Sequence, residues 1–290
     1  MNKFTKISLC LCLLATVLFS ACQKEYDSIE TIDDAAIQTF VNASSIKYTK
    51  DTKGYYYSIT NPGTGAAVKN SDSVFYSYKF KTLAGQLLLE SSDVMIPGKF
   101  LGYTDQFSIN STTVNYVFAP IREVLSKLNR GGKATLILPS NLAFGKNGLS
   151  AINVGSNENI LVELGIFSES KRHQIDELEI NSFITKNNLI VIKDASRARY
   201  SIINAGTGAD AISLNSTIVA NYVVRSLDGV EIAQPSGQIT SVLNGLFKGW
   251  QLILPGKVTA GGKLRLIIPA DLGNGATPLD FDIEIVSVTN

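Results

Sequence analysis

The composition of this chain of 290 residues limits the functions that it can have. The chain carries 26 lysines and arginines against 25 aspartates and glutamates, and so even a balance provides no general attraction to nucleic acid. It has one histidine, His173, and three cysteines close to the N-terminus, which leave no ligand set for a zinc finger or a similar metal site. The length predicts about two domains at ~150 residues each.

The first 21 residues have the features of a secretory signal peptide. Lys3 and Lys6 precede an apolar run over 7–19, which is too short to span a membrane. Leu18-Phe19-Ser20-Ala21-Cys22 resembles the lipobox of bacterial lipoproteins, although an ordinary signal with a chance cysteine is the alternative. We therefore expect a signal peptide over 1–21, acylation of Cys22, and a tether over 22–32. These features predict a location on the bacterial cell envelope, and Gln23 after the cysteine favours the outer membrane.

The rest of the chain contains one unit twice. Three pairs of segments recur in order, namely 57–65 with 200–208 at an offset of 143, 131–139 with 261–269 at 130, and 162–164 with 283–285 at 121. The shrinking offset indicates that the second copy has shorter loops. We predict a first domain over 33–168, a linker over 169–175 that contains a solvated His173, and a second domain over 176–290.

Within each copy the pattern indicates short strands and one amphipathic helix. Segments 74–80 and 216–224 are rich in β-branched and aromatic residues, as strands prefer. A helix is predicted from Pro120 to just before Gly131, because apolar residues recur there at helical spacing. A further helical stretch precedes each copy, and in the first copy Asp33 and Asp34 are expected to cap it.

The order of these elements resembles the FKBP family of peptidyl-prolyl isomerases. The motifs that carry the resemblance are Tyr78, Gly85, 89–92, 117–121, 139–145 and 160–164 in the first copy, and Tyr222, Gly229, 246–250, 269–275 and 281–285 in the second. The resemblance implies an α+β fold of two tandem FKBP-like domains. Each would be an antiparallel sheet curled around one short helix, preceded by a helical segment.

The same resemblance implies two peptide-binding pockets and assigns residues to them. The first pocket would use Tyr78, Glu90, Val117, Phe118, Phe144 and Ile152, and the second Tyr222, Leu246, Phe247, Trp250 and Phe281. Such a pocket needs no cofactor and no metal. An X-Pro bond isomerises over a barrier of ~18–20 kcal/mol, and an aromatic pocket that excludes water and offers one hydrogen-bond donor favours the twisted amide. Core packing is the alternative role for each of these aromatic residues.

Both copies depart from the family pattern. In the first copy Ile121 stands in place of the family's tryptophan, and Phe144 lacks the hydroxyl of the family's tyrosine. In the second copy Ala233 stands where we expect the acid, and Asn274 where we expect the tyrosine. Neither pocket is therefore complete.

Two functions remain open from the sequence. The resemblance implies a membrane-anchored FKBP-type peptidyl-prolyl cis-trans isomerase, a foldase of weak activity for exported proteins. The incomplete pockets favour the alternative of a catalytically degenerate lipoprotein of the same fold that binds polypeptide without isomerising it. The expected partners are exported polypeptides with X-Pro bonds and, through Cys22, the lipid bilayer, with no nucleic acid or metal among them.

Overall fold

The computed structural model describes residues 27–109, 115–233 and 238–290, and the predicted signal peptide and Cys22 lie outside these ranges. The first half of the chain forms α1 (Ile29–Ala43), β1 (Thr49–Lys50), β2 (Tyr56–Asn61), β3 (Ser73–Thr82), β4 (Leu87–Glu90), β5 (Gly98–Phe100), β6 (Gln106–Ser108), β7 (Asn115–Val117), α2 (Ala119–Leu125), β8 (Lys133–Leu138) and β9 (Ile160–Ile166). No helix in the described ranges is both long and apolar enough to cross a membrane.

The second half repeats this series. It forms α3 (Arg172–Lys186), β10 (Ile192–Lys193), β11 (Arg199–Asn204), β12 (Thr217–Ser226), β13 (Glu231–Ala233), β14 (Ile239–Val242), α4 (Lys248–Ile253), β15 (Lys263–Ile268) and β16 (Leu279–Thr289). Among the described residues, the hairpin of β6 and β7 has no counterpart in this half.

The two halves build sheets of the same topology. The strand order is β1-β2-β8-β9-β3-β4 in the first sheet and β10-β11-β15-β16-β12-β13 in the second. In addition, β5 pairs with β3 in the first sheet, and β14 pairs with β12 in the second. All the paired strands are antiparallel, for example β3 with β9 and β12 with β16. This arrangement confirms the predicted α+β fold of two similar units.

The pairing registers correct one part of the predicted repeat. Leu164 lies opposite Ala134, and Ile283 lies opposite Leu264, which is the residue equivalent to Ala134. Strand β16 therefore follows β9 at an offset of 119 rather than the predicted 121. A slip of two residues leaves every side chain on the same face of the sheet, so the alternation of apolar and polar residues fits both alignments.

A short helix covers the inner face of each sheet. Ile121, Val124 and Leu125 of α2 are buried in the core of the first domain, and Trp250 and Ile253 of α4 are buried in that of the second. Helix α2 begins at Ala119 with Pro120 in its first turn, as predicted, but it ends at Leu125, earlier than predicted. The inner faces of the sheets therefore hold the candidate pocket residues.

The helix that precedes each sheet packs on the outer face. In both copies a buried aspartate of this helix accepts a hydrogen bond from the turn that follows an equivalent strand. In α1, buried Asp33 accepts hydrogen bonds from the backbone N–H and the hydroxyl of Ser140, while Ser28 is the residue that caps the helix. In α3, buried Asp176 accepts the N–H of Ala270, which follows β15 as Ser140 follows β8. The predicted capping role of Asp33 is therefore wrong, since its carboxylate holds the turn after β8 instead.

Helix α3 also joins the two domains. It begins at Arg172, so the second half of the segment predicted as a linker is helical, and His173 is exposed in its first turn. Ile180 of this helix belongs to a buried hydrophobic cluster that also contains Ile267 of the second sheet and Val94 of the first domain. The buried carboxylate of Glu179 accepts the N–H of Ile96 at 2.6 Å, again from the first domain.

Candidate functional site

The first domain holds a cluster of aromatic rings on the inner face of its sheet. Phe80, Phe107 and Phe118 form its buried floor, with pairwise ring-centroid distances of 5.4–5.5 Å. Tyr78 lies 5.0 Å from Phe107, and Phe144 lies 5.3 Å from Phe118. We call these five rings and Tyr116 the first aromatic cluster.

Three parts of the chain position these rings. Strand β3 supplies Tyr78 and Phe80 two residues apart, so both point to the same face. The hairpin of β6 and β7 supplies Phe107 and Tyr116, which lie opposite each other in its register. Phe118 directly precedes α2, and Phe144 lies in the turns that follow β8.

The cluster is apolar at its base and partly open at its rim. Tyr78, Tyr116 and Phe144 are partly exposed, whereas the three floor rings are buried. Burial raises the pKa of the Tyr78 phenol above its ordinary value, so this hydroxyl stays protonated at physiological pH. Aromatic rings of this kind can hold an apolar ring such as that of proline while the rim remains accessible to a peptide.

The structure places Glu90 outside the cluster. Its carboxylate pairs with the ammonium of Lys79 at 3.1 Å, and Lys79 follows Tyr78 and so points to the opposite face of the sheet. Both residues line a surface cleft of about 310 Å³ where the two domains meet, together with Asp93 and Lys186. The prediction that Glu90 is an acid of the pocket is therefore wrong.

Two other predicted residues of the first pocket, Ile152 and Val117, differ from each other in burial. Ile152 is buried in the core beside the aromatic cluster. The side chain of Val117 is 62% exposed, since it points outward from β7, whose neighbouring residues Tyr116 and Phe118 contact the cluster. Ile121, where the family's tryptophan is missing, is buried in the same core.

Sequence reasoning missed four residues of this site, one of which, Phe80, lies in the segment 74–80 that was predicted only as a strand. Phe107 and Tyr116 belong to the hairpin, and the alternation of polar and apolar residues over 106–109 is the signal that predicts such a strand. Asp105 is a buried acid that lies two residues before Phe107 in the sequence. Its carboxylate pairs with Arg122 at 3.2 Å, and its backbone carbonyl accepts the N–H of Phe118 at 2.8 Å.

The second domain holds a smaller cluster of aromatic rings. Trp250 lies 5.3 Å from Tyr222 and 5.7 Å from Phe281, and Phe247 lies 5.2 Å from Phe281. Trp250 and Phe281 are buried, while Tyr222, Phe247 and Leu246 are partly buried. The indole N–H of Trp250 is buried and finds no hydrogen-bond partner among the described residues. All five predicted residues of the second pocket thus share one core.

Of the two departures predicted in the second domain, the structure places Ala233 differently. Ala233 lies opposite Val224, as Leu89 lies opposite Phe80, so it is the counterpart of Leu89 and not of the acid Glu90. Asn274 is exposed, and its side-chain oxygen accepts the N–H groups of the two residues at 276 and 277. Asn274 therefore shapes a turn. The described residues of both domains contain no group of three potential metal ligands.

Comparison with known proteins gives a partial match to one curated relative. No family model matches the chain. The chain is 31% identical over 112 residues to the FKBP-type peptidyl-prolyl cis-trans isomerase FkpA of Buchnera aphidicola. This alignment covers 34% of this chain and 44% of that protein. The alignment thus spans less than half the length of this relative.

Two solved structures, of an FkpA and of an FKBP protein, have lower sequence identity to the chain. The crystal structure of FkpA from Escherichia coli is 24% identical with a TM-score of 0.37, over 40% of this chain and 61% of that one. The three FKBP domains of wheat FKBP73 are 12% identical with a TM-score of 0.33, over 85% of this chain and 99% of that one. Because both TM-scores are low, these structures add no argument, and the similarity rests on the related sequence. The chain is therefore similar to an FKBP-type peptidyl-prolyl cis-trans isomerase over 34% of its length, in keeping with the resemblance of its motifs.

Proposed function

We propose that the first domain isomerises X-Pro peptide bonds of extended polypeptides, as an FKBP-type peptidyl-prolyl cis-trans isomerase. The observation that carries the proposal is the first aromatic cluster, in which a buried floor of three phenylalanine rings lies beneath the partly exposed rings of Tyr78, Tyr116 and Phe144. The sequence relative supports the same activity by its name.

The chemistry requires neither a nucleophile nor a metal. Rotation about the X-Pro bond breaks amide resonance, which leaves a twisted amide with less charge separation than the planar one. The buried rings of Phe80, Phe107 and Phe118 form an apolar backing that excludes water beneath the partly exposed rings. A proline ring packed on this surface lies in an environment that favours the twisted amide over the planar amide. The partly exposed rim rings contact the residues on either side of the proline.

One phenylalanine from each aromatic cluster provides the test. In the full mature chain, Phe144→Ala is expected to lower kcat/KM for a proline-containing peptide about tenfold, because it removes a rim ring of the first cluster. The control Phe247→Ala removes a partly buried ring from the second cluster and is expected to change the rate less than twofold. A protease-coupled isomerisation assay measures both.

Two results would contradict the proposal in different ways. A full chain that isomerises the peptide no faster than buffer would refute the activity. A reversed order of the two variants, with Phe247→Ala the slower, would assign the activity to the second domain. Circular dichroism and thermal unfolding would show that both variants are folded.

The alternative function is polypeptide binding without isomerisation. Phe144 has no hydroxyl and Ile121 replaces the family's tryptophan, which favours this alternative. It predicts that a proline-containing peptide binds the full chain and that Phe144→Ala weakens this binding, while the isomerisation rate stays at the level of buffer.

We also propose that the protein is lipid-anchored at the bacterial cell envelope and acts on exported polypeptides. The lipobox-like sequence that ends at Cys22 supports the anchor. Several acyl chains, at ~0.8 kcal/mol per buried methylene, hold a protein stably on a bilayer. Cys22→Ser is expected to move the protein from the membrane fraction to the soluble fraction, and continued membrane association of this variant would contradict the anchor.

A further inference from the structure

We infer that the hydroxyl of Tyr116 donates a hydrogen bond to the carbonyl oxygen of the bound peptide, in the role that Phe144 cannot fill. This inference rests on the proposed isomerase function and identifies a catalytic residue of the same site. Tyr116 is outside the set of residues that the family motifs assign to the pocket.

Tyr116 lies next to the residue whose hydroxyl is missing. The ring centroids of Tyr116 and Phe144 are 5.5 Å apart. The Tyr116 ring is also nearly parallel to that of Phe118, at 9° and 6.3 Å, so the two rings form one continuous aromatic surface. The ring contact places the Tyr116 phenol beside Phe144, the residue whose family counterpart carries a hydroxyl.

The hairpin fixes Tyr116 in this position. Tyr116 lies opposite Phe107 in the register of β6 and β7, and Phe107 is one of the buried floor rings. Its own ring is partly buried against the core of the domain. A tyrosine at such a boundary keeps its ring in apolar contact and its hydroxyl at the polar rim, where it can act as a donor.

The other polar groups near the cluster are less suited to this role. The ring of Tyr78 contacts those of Phe80 and Phe107, and among the described residues its ring forms no pair with that of Phe144. Tyr76 is 2% exposed, so a peptide does not reach it. Asp105 pairs with Arg122, and an ionised carboxylate can only accept hydrogen bonds. Tyr116 is thus the donor that adjoins the position of Phe144.

The hydroxyl can be removed and then restored at a neighbouring position. In the full mature chain, Tyr116→Phe keeps the ring and is expected to lower kcat about tenfold with little change in KM, since the donor acts on the amide during rotation. The double variant Tyr116→Phe with Phe144→Tyr returns a hydroxyl to the position of the family's tyrosine and is expected to recover most of the loss. Tyr103→Phe, an exposed tyrosine outside the cluster, is the control and keeps the wild-type rate.

The outcomes separate this inference from the proposed function. An active full chain in which Tyr116→Phe changes kcat less than twofold would overturn the inference and leave the function intact. A loss that Phe144→Tyr does not recover would also overturn it, because the ring and not the hydroxyl would then be required. A wild-type chain without activity would refute the proposed function itself, and the inference would fall with it. Thermal unfolding of each variant would confirm that it is folded.

Discussion

Replacement of Trp250 by alanine is expected to lower the free energy of unfolding by about 3–5 kcal/mol, the range for truncation of a large buried aromatic residue. The indole is 1% exposed and contacts the rings of Tyr222 and Phe281 edge to face. Alanine would leave a cavity that these rings cannot fill without leaving their positions. Denaturant unfolding of the full mature chain, followed by circular dichroism, measures the change.

Two milder variants separate the ring from its N–H group. Trp250→Phe keeps an aromatic ring and removes a buried N–H that has no partner among the described residues, so it is expected to cost less than about 1.5 kcal/mol. Trp250→Ile introduces the residue of the equivalent position in the first domain, Ile121, and is expected to fall between the two. A cost below about 1 kcal/mol for Trp250→Ala would show that the indole is not part of the core.

The repeat and the fold could be predicted from the sequence because both depend on local patterns. Strands alternate with period two, and helix α2 follows the apolar residues at helical spacing from Ile121. The equivalence of Tyr78 and Tyr222 also holds in the structure, since Tyr78 lies opposite Leu164 and Tyr222 lies opposite Ile283, the residue equivalent to Leu164. Such patterns repeat in both copies, which strengthens each of them.

The site was less predictable because it depends on which face a side chain takes and on pairing over long distances. Glu90 matches the family's acid in sequence order, yet its pairing with Lys79 directs it to the outer face. The register of β16 could not be predicted, because a slip of two residues preserves the apolar pattern. Phe107 and Tyr116 lie in a hairpin without a counterpart in the second copy's described residues, so the repeat offered no guide to them.

The free energy of unfolding is expected to fall as the pH rises from about 5 to 8, because of Glu179 between the two domains. Burial raises the pKa of this carboxyl from its ordinary 4.5 to about 7, and the charge of Asp176 adds to the shift. Arg172 and the N–H of Ile96 oppose the shift without cancelling it. Glu179 is therefore protonated in the folded protein at pH values where it is already ionised in the unfolded chain.

The sign and size of the effect follow from this difference. Below about pH 4.5 the carboxyl is protonated in both states, and its full contribution to stability is present. As the pH rises towards 7 the unfolded chain releases the proton first, so the contribution is lost. A shift of this size at ~1.4 kcal/mol per unit corresponds to a loss of about 2–3 kcal/mol between pH 5 and 8.

Glu179→Gln isolates this carboxyl from the other titrating groups. Glutamine cannot ionise, and its amide oxygen can still accept the N–H of Ile96. Unfolding measured at pH 5, 6, 7 and 8 is expected to lose most of its dependence on pH in this variant. The control His173→Gln, at an exposed position of the same helix, is expected to keep the wild-type slope. An equal slope for Glu179→Gln and wild type would mean that the ion pair with Arg172 outweighs burial and keeps the carboxylate charged throughout this range.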